Sequence, residues 1–159
     1  VTKVVVGGEK RQDSVYNGFC ELSPQTEIVL VHDGVRPFLS HQMIQESVDA
    51  AREYGAAITA IPVNDTIKKV DDSGLVSKTV DREGLWRVQT PQVFRYELLE
   101  EAFKKANSEK FYGTDEGTLI EHLGKPVKVV EGSEQNIKIT RPEDLRLSEI
   151  FISKAFPEN

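Results

Sequence analysis

EIVLVHDGVRPF, residues 27–38, begins as a β-strand and ends as something else. Glu27–Val31 reads as a strand, carrying the apolar, mostly β-branched run Ile28–Val31. It stops at His32-Asp33-Gly34, and the Arg36 guanidinium follows three residues after the acid. A strand tip that merely met water would end in Ser, Asn or Lys. Working downstream, Leu39-Ser40 opens a helix: Ser40 is its N-cap, Leu39 is placed to staple onto Ile44, and Ile44, Val48 and Ala51 form an apolar stripe. Gly55 closes it, and Ala57–Val63 reads as the next strand. Upstream, Val4–Val6 reads as a short buried strand ending at Gly7-Gly8, and Asp13 or Ser14 caps a helix carrying Val15, Phe19 and Leu22. Three such strand–helix alternations predict an α/β domain with a mostly parallel sheet covered by helices.

Residues 65–85 break the rhythm. DTIKKV and LVSKTV are short strand-like pieces joined by Asp71-Asp72-Ser73-Gly74, a hairpin signal. Their low apolar content predicts an arm that leans on something else, either a second subunit or its own domain. The rhythm then resumes. Helices are expected over Tyr96–Ala106, with Leu98, Leu99, Ala102 and Phe103 on one side, and over Thr114–Leu123, ended by Gly124. Val127–Val130 and Ile137–Ile139 read as strands. Thr140 is expected to start the last helix, in a capping box with Glu143 and with Pro142 in the first turn. The end near Asn159 reads as frayed. Val1 stands where a strand is already under way, so the chain is expected to be the back part of a longer protein.

At 159 residues the chain is read as one domain, 1–159, with enough length for a core. Charged residues make up 29% and the formal charge is −6, which argues against a nucleic-acid surface but leaves small anionic ligands open. No stretch approaches the roughly 20 apolar residues of a membrane span. The single cysteine, Cys20, excludes an internal disulfide and fits a reducing cytoplasm. His32, His41 and His122 show no metal-site spacing with it.

Ligands of open α/β sheets bind beyond the carboxyl ends of the strands, and that is where the polar groups fall. Gly7-Gly8-Glu9 follow the first strand, Asp33 and Arg36 the second, Asp65 and Thr66 the third. Asp33 can hold Mg2+ with phosphate oxygens, or it can cap a turn or pair with Arg36. Gly7-Gly8 suits close backbone approach to a ligand or a plain turn. Arg82 can grip a phosphate or pair with Asp81. Lys138 can face a ligand or, by alternation, solvent. His32 reads as a hydrogen-bonded rim residue and Trp86 as packing.

Six segments occur in order: GGEKRQDSVYNG (7–18), VHDGVRPF (31–38), PVNDTIK (62–68), TVDREGLWRVQTPQVF (79–94), GTDEGTLIE (113–121) and NIKITRPEDL (136–145). Over nearly the whole chain they resemble the 2-C-methyl-D-erythritol 4-phosphate cytidylyltransferase family of the non-mevalonate isoprenoid pathway. The resemblance implies a Rossmann-like nucleotidyltransferase fold and a homodimer with interlocked hairpin arms, which tips residues 65–85 toward dimerisation. It implies CTP and methylerythritol phosphate as substrates, Mg2+ as cofactor and pyrophosphate as product.

By position, Gly8, Glu9 and Ser14 would surround cytosine, with Arg11 close by and Gly34 on the nucleotide side. The family commonly has Asp at the position of Glu9. Asp33 would approach the ribose and the metal, and Arg36 would hold the rim together. Thr66, Arg82, Thr90 and Lys138 would receive methylerythritol phosphate, lined also by Thr114 and Asp115. Arg82 and Lys138, with Asp33, would form the catalytic set. Thr66 and Arg82 would be supplied by one subunit to the other's pocket.

The family begins with a strand and a glycine-rich loop bearing an arginine, followed by a lysine, and nothing in residues 1–159 matches them. The 159-residue chain alone is therefore expected to turn over CTP negligibly and to expose a sheet edge. Two alternatives are ribitol 5-phosphate cytidylyltransferase, which shares an HDxVRPF segment, and a non-catalytic dimerisation module. PVNDTIK and REGLW favour the methylerythritol enzyme.

Overall fold

The computed structural model describes residues 1–155; the frayed end expected at Asn159 lies outside them. The elements run α1 (Arg11–Phe19), β1 (Ile28–Val31), α2 (His41–Tyr54), β2 (Ala56–Pro62), β3 (Ile67–Val70), β4 (Val76–Val80), β5 (Trp86–Arg95), α3 (Tyr96–Glu109), α4 (Glu116–His122), β6 (Lys128–Glu131) and α5 (Pro142–Ala155). The main sheet has the order β1-β5-β2-β6, and β3-β4 form a separate antiparallel hairpin. β6 runs parallel to β2, while β5 runs antiparallel to both β1 and β2. Three of the four strands thus share a direction, as the strand–helix rhythm predicts, and β5 is wedged between them reversed.

β5 is the strand not anticipated from sequence, because Pro91 within WRVQTPQVFR argues against a central strand. The ladder bends to accommodate it. Pairing with β2 jumps from Ile58–Gln92 to Ala60–Val88, and β1 pairs only as far as Gln92, so Pro91 sits in a bulge where its missing N–H interrupts no ladder. Thr59 Oγ1 donates to the Pro91 carbonyl at 2.8 Å.

Both faces of the sheet are covered, and residue alternation assigns them. Ala56 and Phe94 face a cluster of Phe19, Leu99, Ala102, Phe103, Leu119 and Ile120 from α1, α3 and α4. Ala57 and Val93 face Ala51 of α2 and Val130. β2 is buried along Ala56–Ile61, as a central strand covered on both faces must be. Ser40 caps α2 through Met43 N–H, and Gly55 ends it at φ 90°, a left-handed conformation that favours glycine. Along α2 the buried line is Met43, Ser47 and Ala51, with Ile44 and Val48 beside it. Ser47 fits there because its hydroxyl reaches Thr59 Oγ1 at 3.3 Å.

Four local expectations are corrected. Val4–Val6 forms no strand, since it joins no ladder among the described residues; Val4 and Val6 are 90% and 85% exposed. Ile137–Ile139 is likewise not a strand; Ile139 N–H donates to Val35 O, which ties this segment to the turn after β1 instead of to the sheet. α1 starts at Arg11 with Lys10 as N-cap, and Asp13 reaches back to accept from Lys10 N–H, so it acts from inside the first turn. At α5, Asp144 and not Glu143 reaches back, accepting from the N–H groups of Thr140 and Arg141 at 2.9 Å.

Candidate functional site

The turn after β1, the 88–92 part of β5, the start of α1, the residues leading into α4 and the segment after β6 line a cleft of 260 Å3. Asp33 is its hub. A turn closed by Arg36 N–H donating to Asp33 O follows β1 immediately and aims the carboxylate inward. Lys138 Nζ lies 3.1 Å from Asp33 Oδ2, Arg36 Nε 3.6 Å from the same oxygen, and Arg11 Nε and Nη2 each 3.4 Å from Oδ1. Asp33 therefore pairs with Arg36, as one reading of the sequence has it, and with two further cations. Lys138, at 44% side-chain exposure, faces this cluster and not open solvent alone.

Further polar contacts behind the cluster fix it in place. Arg36 Nη1 donates to Asn136 O at 2.6 Å. Asn136 is fully buried and donates to Thr90 O and Gln89 Oε1. Asp33 N–H donates to Thr90 Oγ1 at 3.0 Å. His32 Nε2 lies 2.8 Å from Arg36 O, which can only accept, so Nε2–H donates there, and Nδ1 lies 3.0 Å from the Thr90 hydroxyl. His32 is thus the hydrogen-bonded rim residue expected of it. Gln92 donates to Asp115 Oδ2 and accepts from Gly117 N–H, which pins the start of α4 to β5. Asp115 caps that helix through Thr118 N–H, one residue inside the expected Thr114 start. Arg11 Nη1 lies 2.8 Å from both carboxylate oxygens of Glu116, which is 1% exposed.

Burial pushes the Asp33 carboxyl up, but the hydrogen bond and charge of Lys138, with Arg11 and Arg36, outweigh it and hold it below the ordinary carboxylate value. Burial pushes Glu116 up, and its pair with Arg11 opposes that only in part. Burial lowers Arg36 against the pull of Asp33. Because the folded pKa of Asp33 is depressed, its contribution to stability is fully present above its unfolded value and is lost as pH falls through the folded one. Urea unfolding followed from about pH 6 down to about pH 3 is expected to show a fall in stability that Asp33→Asn makes shallower; an identical pH slope in that variant would count against the hub.

Of the residues singled out from sequence, Arg11, Asp33, Arg36, Thr90, Thr114, Asp115 and Lys138 line the cleft. Gly8, Glu9, Ser14 and Gly34 do not. Gly8 N–H donates to Ser14 Oγ, tying those two together beside Arg11, while Glu9 and Gly34 are exposed. Thr66 and Arg82 are exposed at the base of the hairpin, where Arg82 Nη1 donates to Asn64 O. Gln89, Gln92, Glu116 and Asn136 also hold the site, and they lie within 79–94, 113–121 and 136–145. Being buried, they work by holding other side chains, and composition gives no signal for that.

As for metal, no group of three or more His, Cys, Asp or Glu among the described residues is arranged to hold an ion. Asp33 offers one carboxylate already facing three cations, and the oxygens of Asp115 are taken by Thr118 and Gln92. The donor set fits one ligand position on an Mg2+ that arrives with phosphate oxygens, not a resident all-protein site.

The family model for IspD, 2-C-methyl-D-erythritol 4-phosphate cytidylyltransferase, matches residues 1–154. The chain belongs to the IspD family. A protein of that name from Pelotomaculum thermopropionicum is 53% identical over 152 residues, covering 96% of this chain and 64% of the relative. One from Syntrophus aciditrophicus is 50% identical over 151 residues, again 64% of its length. The chain thus spans somewhat less than two thirds of these IspD relatives. The crystal structure of the Thermus thermophilus enzyme superposes with a TM-score of 0.84 at 39% identity, covering 91% of this chain and 70% of that one. The structure of 4-diphosphocytidyl-2C-methyl-D-erythritolsynthase from Anaerococcus prevotii gives 0.86 at 37%, covering 95% and 70%. The expected α/β nucleotidyltransferase fold therefore holds, and these IspD matches favour neither the ribitol phosphate enzyme nor a non-catalytic module.

Proposed function

We propose that the protein transfers a cytidylyl group from CTP to 2-C-methyl-D-erythritol 4-phosphate, releasing pyrophosphate, and that the Asp33 cleft is where the two polyanions meet. The observation that carries this reading is the gathering of Arg11, Arg36 and Lys138 around Asp33 at the carboxyl edge of the sheet, within a chain of the IspD family. A phosphate oxygen of the acceptor attacks the α-phosphorus of CTP. A new P–O bond forms as the bond to the β-phosphate oxygen breaks, and that oxygen leaves with the electron pair. The attacking oxygen is already anionic, so no proton has to move. The work is positioning and charge neutralisation. Lys138 turns from Asp33 to the incoming phosphate, Arg36 keeps the rim in place, and Arg11 extends the cluster toward the base-side segment around Gly8 and Ser14. Asp33 would hold Mg2+ brought by the triphosphate, which neutralises charge on the phosphoryl oxygens when bound.

The chain is one cytidylyltransferase domain whose residues 65–85 act as a dimerisation arm. Support comes from the arm's exposed apolar residues: Val70, Leu75 and Val76 are 54%, 68% and 59% exposed, more than a lone hairpin keeps in water. Seated on a second copy, the arm brings Thr66 and Arg82 to the partner's cleft. The free, exposed Cys20 supports a cytoplasmic setting. Among the described residues no helix is long and apolar enough to cross a membrane.

Pyrophosphate release measured with CTP, Mg2+ and methylerythritol phosphate on the protein at its full encoded length tests the reading; turnover with ribitol 5-phosphate instead would overturn it. In the same assay Arg82→Ala is expected to raise KM for methylerythritol phosphate by about tenfold or more while leaving KM for CTP within about twofold. Equal loss for both substrates would remove Arg82 from the acceptor site.

A further inference from the structure

Glu116 is the most buried acid beside the cleft, and the proposed transfer gives it no task. Its backbone cannot drift: Asp115 caps α4, Gln92 holds both Asp115 and Gly117 N–H, and a Cβ at Gly117 would already press on Ile58 Cγ2 at 3.0 Å. Both hydrogen bonds to its carboxylate come from Arg11 Nη1, at 2.8 Å. The opposite edge of the same guanidinium, Nε and Nη2, faces Asp33 Oδ1, yet both contacts are 3.4 Å. A relaxed arginine–carboxylate pair closes to about 2.7–2.9 Å. The guanidinium is thus pulled toward the fully buried acid and stands off Asp33, whose side chain is 14% exposed.

We propose that Glu116 is a positioning residue that holds Arg11 off a tight pair with Asp33, so that the Asp33 carboxylate stays available to an incoming nucleotide. Arg11 joins α1 to α4 through Glu116 and touches the turn after β1 through Asp33, so its placement decides how much of Asp33 is spent inside the protein. Without the charge on Glu116, Arg11 loses its stronger anchor and closes on Asp33, competing with Lys138 and with ligand for the same carboxylate. The kinetic part of this inference rests on the cytidylyltransferase reading; the structural part does not.

The test is the isosteric E116Q variant in the full chain, read in two ways. A crystal structure of the variant is expected to show Arg11 closed onto Asp33 at about 2.8 Å. Kinetics are expected to show KM for CTP raised by about tenfold, with kcat and KM for methylerythritol phosphate within about twofold. E116D, which keeps the charge, is expected to hold KM for CTP within about threefold of wild type. A purely structural clamp would instead lower the melting temperature and leave this split absent. Arg11 remaining at its wild-type distance, or both KM values rising together, overturns the inference. If E116Q does not fold, E116D decides: a loss of about tenfold or more in its KM for CTP overturns the inference. A wild-type protein that fails to turn over CTP sinks the functional reading alone, because the Arg11–Asp33 distance is read independently.

Discussion

Replacing Asp33 by alanine lowers kcat/KM for pyrophosphate release by about 100-fold or more, equivalent to roughly 2.7 kcal/mol of transition-state stabilisation. The size follows from what the carboxylate does. It is the shared counter-charge of Arg11, Arg36 and Lys138, and without it three cations face one another across the cleft. Arg36 suffers most. Its side chain is 12% exposed, and its buried Nε has no hydrogen-bond partner, only the Asp33 carboxylate at 3.6 Å. Removing one member of a fully buried pair costs about 3–5 kcal/mol. Here Arg11 and Lys138 are 35% and 44% exposed, so solvent takes over part of their charge. A stability loss of about 2 kcal/mol is expected, read as a fall of about 4–8 °C in melting temperature. Asp33→Asn separates charge from shape, retaining the side-chain outline but not the attraction. Alanine and asparagine variants that both keep activity within about tenfold of wild type would show that the cluster is scaffolding and not the site.

Phe103→Ala is expected to be the most damaging change to stability, at about 3–5 kcal/mol and roughly 10 °C or more of melting temperature. Phe103 is fully buried. Its ring lies 5.1 Å from that of Tyr16 and 5.4 Å from that of Phe19, both on α1. Aromatic pairs of this kind add to the burial of apolar area. Deleting the ring leaves a cavity between α3 and α1 that Leu99, Ala102 and Ala106 cannot fill. Because α1 carries Arg11 on its first turn, the loss reaches the cleft as well: KM for CTP should rise even at temperatures where the variant remains folded. Thermal unfolding with saturation kinetics checks both parts. A folded Phe103→Ala protein with an unchanged melting temperature would contradict the packing described for this face.

Much of the fold was legible beforehand where a local rule decides the outcome. Ser40 and Gly55 bracket α2 because capping needs only a hydroxyl at one end and a permissive backbone at the other. The hairpin followed from Asp71-Asp72-Ser73-Gly74, and its register keeps that turn. What escaped was set by tertiary partners. β5 hid behind Pro91, which is harmless only because the bulge against Thr59 absorbs it. Val4–Val6 has the composition of a strand, yet a strand exists only where a neighbour completes its ladder. Ile137–Ile139 gave up that pairing for a single bond to Val35 O, which swings Lys138 over Asp33. In the site, the charged residues Arg11, Asp33, Arg36 and Lys138 announced themselves through motif. Glu116, Gln92, Gln89 and Asn136 are buried and polar, and their worth lies in which neighbour they hold. Sequence spacing does not encode that, because the contacts of Asn136 to Thr90 and of Arg11 to Glu116 span 46 and 105 residues.

The proposed function has the cations around Asp33 receive the substrates' phosphates, and everything proposed for the cleft depends on that. A crystal structure of the protein at its full encoded length with CTP, Mg2+ and methylerythritol phosphate tests it most directly. The triphosphate is expected beside Asp33, with Lys138 moved from Asp33 onto an oxygen of the methylerythritol phosphate at about 2.8 Å. A nucleotide bound elsewhere, with Lys138 still 3.1 Å from the Asp33 carboxylate, would contradict it.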